Sequence, residues 1–161
     1  MNGRATTVSD ELKDLGAGFE EAKADVMGAY QAMYMMDKGI LPKADKPQMR
    51  ASYIAGLFRA MRFGDTEAHG RGAAMQYRYI RDKGGLVWDA KAERFRIDPA
   101  KLDAAIASLT GEIVRLQGDG NYAGAKAFFD KWGKMDAEAK AVTAKMGHIP
   151  VDIWPIYPVK I

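Results

Sequence analysis

Apolar positions along this chain recur chiefly at three- and four-residue spacing, which predicts a mainly helical protein. Ser9, with Asp10 and Glu11 behind it, reads as the start of a short first helix, because a hydroxyl cap and early carboxylates satisfy and oppose its free amides. Gly16 and Gly18 are expected to interrupt it. A long helix is then predicted from Phe19 to Asp37, stopped by Gly39, with Pro42 and Pro47 bracketing a loop. Met49, Tyr53, Ile54, Leu57, Phe58 and Met61 form one buried face of a helix over 47–63. Asp65 or Thr66 is expected to cap another helix reaching Lys83, with Met75, Tyr79 and Ile80 inward and Gly84-Gly85 as its stop.

Residues 85–98 then change period. Val87 and Phe95 flank a polar turn, the pattern of a small hairpin. Asp98-Pro99 is a cap and first-turn pair opening a helix through Leu102, Ile106, Leu109, Ile113 and Leu116. Two shorter helices are predicted over 122–132 and 137–146, the second capped by Asp136 and ended by Gly147. The segment 146–161, with its three prolines, is expected to be an extended tail packed through Ile153, Trp154 and Tyr157. The fold class is therefore mainly α, a multi-helix domain with one small β-hairpin, and 1–161 reads as a single helical domain.

Composition removes several chemistries. There is no cysteine, which excludes disulfides, thiolate zinc sites and a cysteine nucleophile, and only two histidines, His69 and His148. The 24 Lys and Arg against 21 Asp and Glu give +3, interspersed along the chain, which makes no case for nucleic acid. The most apolar stretch, 26–36, is about half the ~20 residues a membrane span needs, and the polar start is unlike a secretory signal. Neither nucleic acid nor membrane is expected as a partner, and the expected location is the cytoplasm.

The segment with chemical content is 19–30. On a helical projection Phe19, Ala22, Val26, Tyr30 and Met33 share one face, while Glu21 and Asp25 lie nearly opposite, beside Gly28 and Ala32. Two carboxylates one turn apart repel and want a cation, a basic side chain or an imidazole. Either they form a solvated acidic patch near Lys13 and Lys23, or one ligates a metal with the other supporting it. The helix after Glu20 is apolar on nearly every side, so it is expected to be covered all round, either by the remaining helices or by the missing half of a larger protein. Arg59, Arg62, Arg71, Arg78 and Arg81 either line an anionic site, such as one for a peptide carboxylate, or serve structural ion pairs.

Glu20-Glu21-Ala22-Lys23-Ala24-Asp25, followed by Gly28-Ala29-Tyr30, resembles the second zinc motif of the dipeptidyl peptidase III family. The resemblance continues through Ala55-Gly56-Leu57, through 63–71 ending Ala68-His69-Gly70-Arg71, which is similar to a bacterial branch of zinc-dependent hydrolases, and through Met75-Gln76-Tyr77-Arg78-Tyr79. It implies part of a helical zinc-bearing lobe, with zinc as cofactor and dipeptides released from peptide N-termini. It also implies that Glu21 is a zinc ligand and that Glu20 and Asp25 orient the metal's histidines. Where the family has a catalytic histidine before Met-Gln this chain has Ala74; His69, less than two turns upstream, is the catalytic candidate, against a structural role. The family's His-Glu-x-x-Gly-His motif supplies the other two ligands and the water-activating glutamate, and no histidine precedes Glu20. The expected reading is the C-terminal part of a metallopeptidase, inactive without an N-terminal half carrying that motif. The alternative is a non-catalytic helical module that binds a protein or peptide.

Overall fold

The computed structural model describes residues 5–151. Helices α1 (Val8–Leu12), α2 (Gly16–Asp37), α3 (Lys46–Met61) and α4 (Ala68–Asp82) precede a hairpin of β1 (Leu86–Asp89) and β2 (Arg94–Ile97). Helices α5 (Pro99–Gly118), α6 (Tyr122–Trp132) and α7 (Ala137–Ala144) follow. The hairpin is antiparallel, pairing Leu86 with Ile97 and Trp88 with Phe95.

The centre is α4, which packs on α2, α3, α5 and α6, while α2 also lies along α5. Phe19 and Val26 of α2, Met75 and Ile80 of α4, the Leu102–Ile113 stripe of α5 and Phe129 of α6 meet there, essentially without solvent contact. Each such side chain contributes roughly 1.5–3 kcal/mol by leaving water. Phe129 stands edge-on to Phe19, ring centres 4.6 Å apart. A second aromatic group, Phe58, Tyr77 and Phe95, joins α3, α4 and the hairpin.

Several predicted boundaries move, each for a local reason. The first helix is capped by Thr7, whose hydroxyl accepts from the Asp10 amide, rather than by Ser9. The break after it falls at Lys13, where φ is +51°, and not at Gly16 or Gly18, which lie inside α2. Gly18 sits there because the Phe129 ring occupies the place of a side chain: a Cβ would lie 2.9 Å from its Cζ. Neither Asp65 nor Thr66 caps α4, which begins after Glu67. The Asp65 carboxylate instead accepts from the Met135 amide at 2.9 Å, tying this loop to the α6–α7 connection. By contrast, Asp98 and Asp136 cap α5 and α7 as predicted.

Residues 145–148 wind into a 3-10 turn rather than an extended segment, and Ile149 after them has an extended backbone. Ile153, Trp154 and Tyr157 lie outside the described residues. The described residues do not cover helix α2 all round. Its partners bury Ala22, Val26, Ala29, Met33 and Met36, whereas Gly28, Tyr30, Gln31 and Tyr34 remain exposed among the described residues. No helix of the described residues is long and apolar enough to cross a membrane.

Candidate functional site

Glu21 and Asp25 project from α2 where the start of α4 passes it. The two backbones come close there because Gly72 has no side chain: a Cβ at that position would lie 3.3 Å from the Gly18 carbonyl oxygen and 3.4 Å from the Ala22 Cβ. Two residues nearer the start of α4, Gly70 is tighter still against the preceding loop, since its Cβ would fall 1.8 Å from the Gly64 carbonyl oxygen. This packing delivers His69, on the first turn of α4, to Glu21. The imidazole Nε2 stands 3.1 Å from Glu21 Oε2, with the two side chains 73% and 44% exposed. An accessible carboxylate–imidazole pair, one partner from each sequence motif, is what the fold builds here.

Asp25, one turn beyond Glu21, faces a different partner. Gln76 Nε2 donates to Asp25 Oδ2 at 3.4 Å and to the Gly72 carbonyl at 3.3 Å, while Gln76 Oε1 accepts from the Tyr53 hydroxyl at 2.7 Å. Partial burial pushes the Asp25 carboxyl above the ordinary aspartate range. The Gln76 hydrogen bond pulls it back, Glu21 raises it further, and His69 lowers it. Burial likewise keeps the Tyr53 phenol protonated.

Glu20 turns to the other side of α2. Its Oε1 accepts from Gln117 Nε2 of α5 at 2.8 Å and its Oε2 pairs with Lys23 at 2.7 Å. Gln117 is buried, and its Oε1 has no hydrogen-bond partner among the described residues. The structure thus brings Glu21 and His69 together, sets Asp25 beside them, and leaves Glu20 engaged with α5. Ala74 is fully buried. His148 lies in the 3-10 turn, its Nδ1 3.0 Å from the Lys145 carbonyl oxygen. The residues that sequence reasoning left without a role here are Tyr53, Gln76 and Gln117. Their signal is polarity at buried positions: Gln76 sits between Met75 and Tyr77, and Gln117 next to Leu116.

The arginines serve the fold. Arg81 pairs with Asp136 and Glu138 and donates to the Tyr77 hydroxyl. Arg78 donates to the Lys134 carbonyl, and Arg71 stacks 4.3 Å over the Phe129 ring. Arg62 holds the carbonyls of Ile149 and Pro150, and Arg59 that of Val151.

This architecture superimposes on solved structures of DPP III. The DPP III structure from Caldithrix abyssi matches with a TM-score of 0.91 at 34% identity over 98% of this chain. That of dipeptidyl-peptidase III from Corallococcus sp. strain EGB matches with a TM-score of 0.87 at 36% identity over 94%. The chain resembles part of dipeptidyl peptidase III. It spans 30% and 28% of those two chains. It is also 37% identical over 158 residues to a protein named Nudix hydrolase 3 of Arabidopsis thaliana, covering 20% of that protein, and the name describes the whole of it. No family model matches the chain.

The likeness to DPP III suggests a zinc centre, and the donor set here can be compared with what zinc requires. Zinc takes carboxylate oxygen and imidazole nitrogen, with three protein ligands in a catalytic site. Glu21 offers a lone pair on an accessible carboxylate and His69 an imidazole beside it. Among the described residues no three His, Asp or Glu side chains converge to hold a metal. The accessible Glu21 carboxylate and His69 imidazole are donors of the kind zinc takes, two where a catalytic site needs three.

Proposed function

We propose that this dipeptidyl peptidase III-like chain supplies one side of a zinc peptidase centre acting on peptide substrates in the cytoplasm and releasing dipeptides from their N-termini. Glu21 would hold the metal through its carboxylate. Asp25 and Glu20 orient the histidines that a His-Glu-x-x-Gly-His segment brings. His69, adjacent to Glu21, meets the substrate at the reacting carbonyl. The metal's part is Lewis-acid polarisation of that carbonyl and activation of water. The partner is an N-terminal half carrying the first motif, and the chain is inactive without it.

What carries this reading is the 3.1 Å approach of His69 to Glu21, two residues 48 positions apart that come from the two motifs resembling the family. The exposed side of α2, with Gly28 open and Tyr30 and Tyr34 uncovered, offers the incoming half a surface. The same surface suits the second reading, a non-catalytic helical module that binds a protein or peptide. Dipeptide release separates the two. The chain mixed with a polypeptide carrying His-Glu-x-x-Gly-His should hydrolyse a peptide N-terminus, and Glu21→Ala should abolish the activity. Tight association with neither zinc uptake nor hydrolysis would favour the module.

A further inference from the structure

Gln76 is a fully buried amide in the middle of α4, and every one of its hydrogen bonds has a defined sense. Its nitrogen end faces two oxygens that only accept, the Gly72 carbonyl at 3.3 Å and the Asp25 carboxylate at 3.4 Å. Its oxygen end faces the Tyr53 hydroxyl at 2.7 Å. A glutamine can flip end for end at little cost in shape, so something must choose the orientation. The backbone carbonyl and the carboxylate do so together: a flipped amide would set oxygen against the Gly72 oxygen and against Asp25. Burial keeps the Tyr53 phenol in its donating form.

We infer that Tyr53 and Gln76 form a positioning relay, running from α3 through α4 to α2, that fixes where the Asp25 carboxylate sits beside the Glu21–His69 pair. Tyr53 anchors the oxygen end of the amide, and the amide holds Asp25. At 3.4 Å the last contact is at the long end of the hydrogen-bond range, so the relay steers the carboxylate while leaving its second oxygen available. None of the three is a catalytic residue in this scheme. The inference rests on the reading of Asp25 as a group that orients the centre. It adds two residues, on two other helices, that determine how well Asp25 can do so.

The test uses the full chain without metal and reads the site directly. Tyr53→Phe removes one oxygen atom and keeps the ring, so the fold is retained. If the relay holds, the substitution shifts the Asp25 carboxyl carbon and the His69 ring-nitrogen NMR resonances. It also loosens the Gln76 side-chain amide, whose protons exchange faster. Gln76→Met produces the same two shifts. In an Asp25→Asn background Tyr53→Phe leaves the His69 ring signals where they were, because the carboxylate it steered is gone. A purely structural role for Tyr53 lowers the melting temperature but leaves the Asp25 and His69 signals in place, and that result overturns the inference. So does a His69 shift of equal size with and without the Asp25 carboxylate. Failure of the metal reading shows elsewhere, as zinc uptake by the reassembled protein that ignores Glu21→Ala, and it leaves the metal-free result standing.

Discussion

Gly70→Ala probes most severely how this fold presents its site. A Cβ at residue 70 would lie 1.8 Å from the Gly64 carbonyl oxygen and 3.0 Å from its carbon. Ordinary carbon–oxygen contacts begin near 3.3 Å, so the start of α4 and the loop before it must separate by about 1.5 Å. Both colliding partners are main chain, and no side chain can swing aside. The loop has little freedom to yield: Gly64 holds φ at +102°, and Asp65 is bonded to the Met135 amide at 2.9 Å. Overpacking of this kind costs about 1–3 kcal/mol, and two rigid backbones put the expected loss at the upper end, about 3 kcal/mol. For a chain of this size that lowers the melting temperature by about 6–12 °C. Thermal and urea denaturation measure the loss, and the His69 ring signals should move in the same variant because residue 69 adjoins the displaced turn. A variant within about 1 kcal/mol of the parent, with unmoved His69 signals, would refute the claim that the Gly70–Gly64 contact sets the position of α4.

Gly28→Ala should act in the opposite direction. Nothing lies within 4 Å of its Cβ position on the exposed side of α2, so calorimetry should show a gain of about 0.5–1 kcal/mol, while association with an N-terminal half that packs on this face should weaken. Tyr77→Phe deletes a buried hydroxyl that donates to Asp136 and accepts from Arg81, and urea unfolding should register a loss of about 1.5–3 kcal/mol. Asp25→Asn removes a carboxylate whose folded-state pKa is raised, chiefly by burial. Ionised Asp25 therefore destabilises the fold above its ordinary range, and the variant should melt higher at neutral pH, with the advantage vanishing as pH falls below about 4. Glu138 and Asp98 behave inversely: the Arg81 hydrogen bond and the Lys101 amide hold their carboxyls low. Their contributions are present above the ordinary carboxylate range and disappear as pH falls through the lowered values, so the melting temperature should drop on acidification through that window.

Where one residue's local chemistry decides a boundary, the sequence reveals it. Asp98 before Pro99, Asp136 before α7, and Gly39 after α2 each act through a side chain or a φ of their own. Where a distant residue decides, pattern alone misleads. Gly18 reads as a break, yet it continues α2 because Phe129, 111 positions away, fills the space over it. Asp65 reads as a helix cap, yet it serves the Met135 amide. The site divides in the same way. Glu21 and Asp25 stand out by their spacing on one helix and His69 by its rarity, but only the passage of α4 across α2 at Gly72 makes Glu21 and His69 neighbours. Tyr53 reads as one more member of an apolar stripe, because nothing in the spacing shows that its hydroxyl meets Gln76 across α3 and α4. The five arginines are legible as a group, and their partners, mostly on later elements or backbone carbonyls, are not.

If Glu21 is a metal ligand, the zinc content of the assembled protein depends on it. The full chain is combined with a polypeptide carrying His-Glu-x-x-Gly-His, the assembly is isolated, and bound zinc is measured for the parent and for Glu21→Ala. The account predicts stoichiometric zinc in the parent and its loss in Glu21→Ala, with the assembly itself still formed. Equal zinc in the parent and in Glu21→Ala would contradict it.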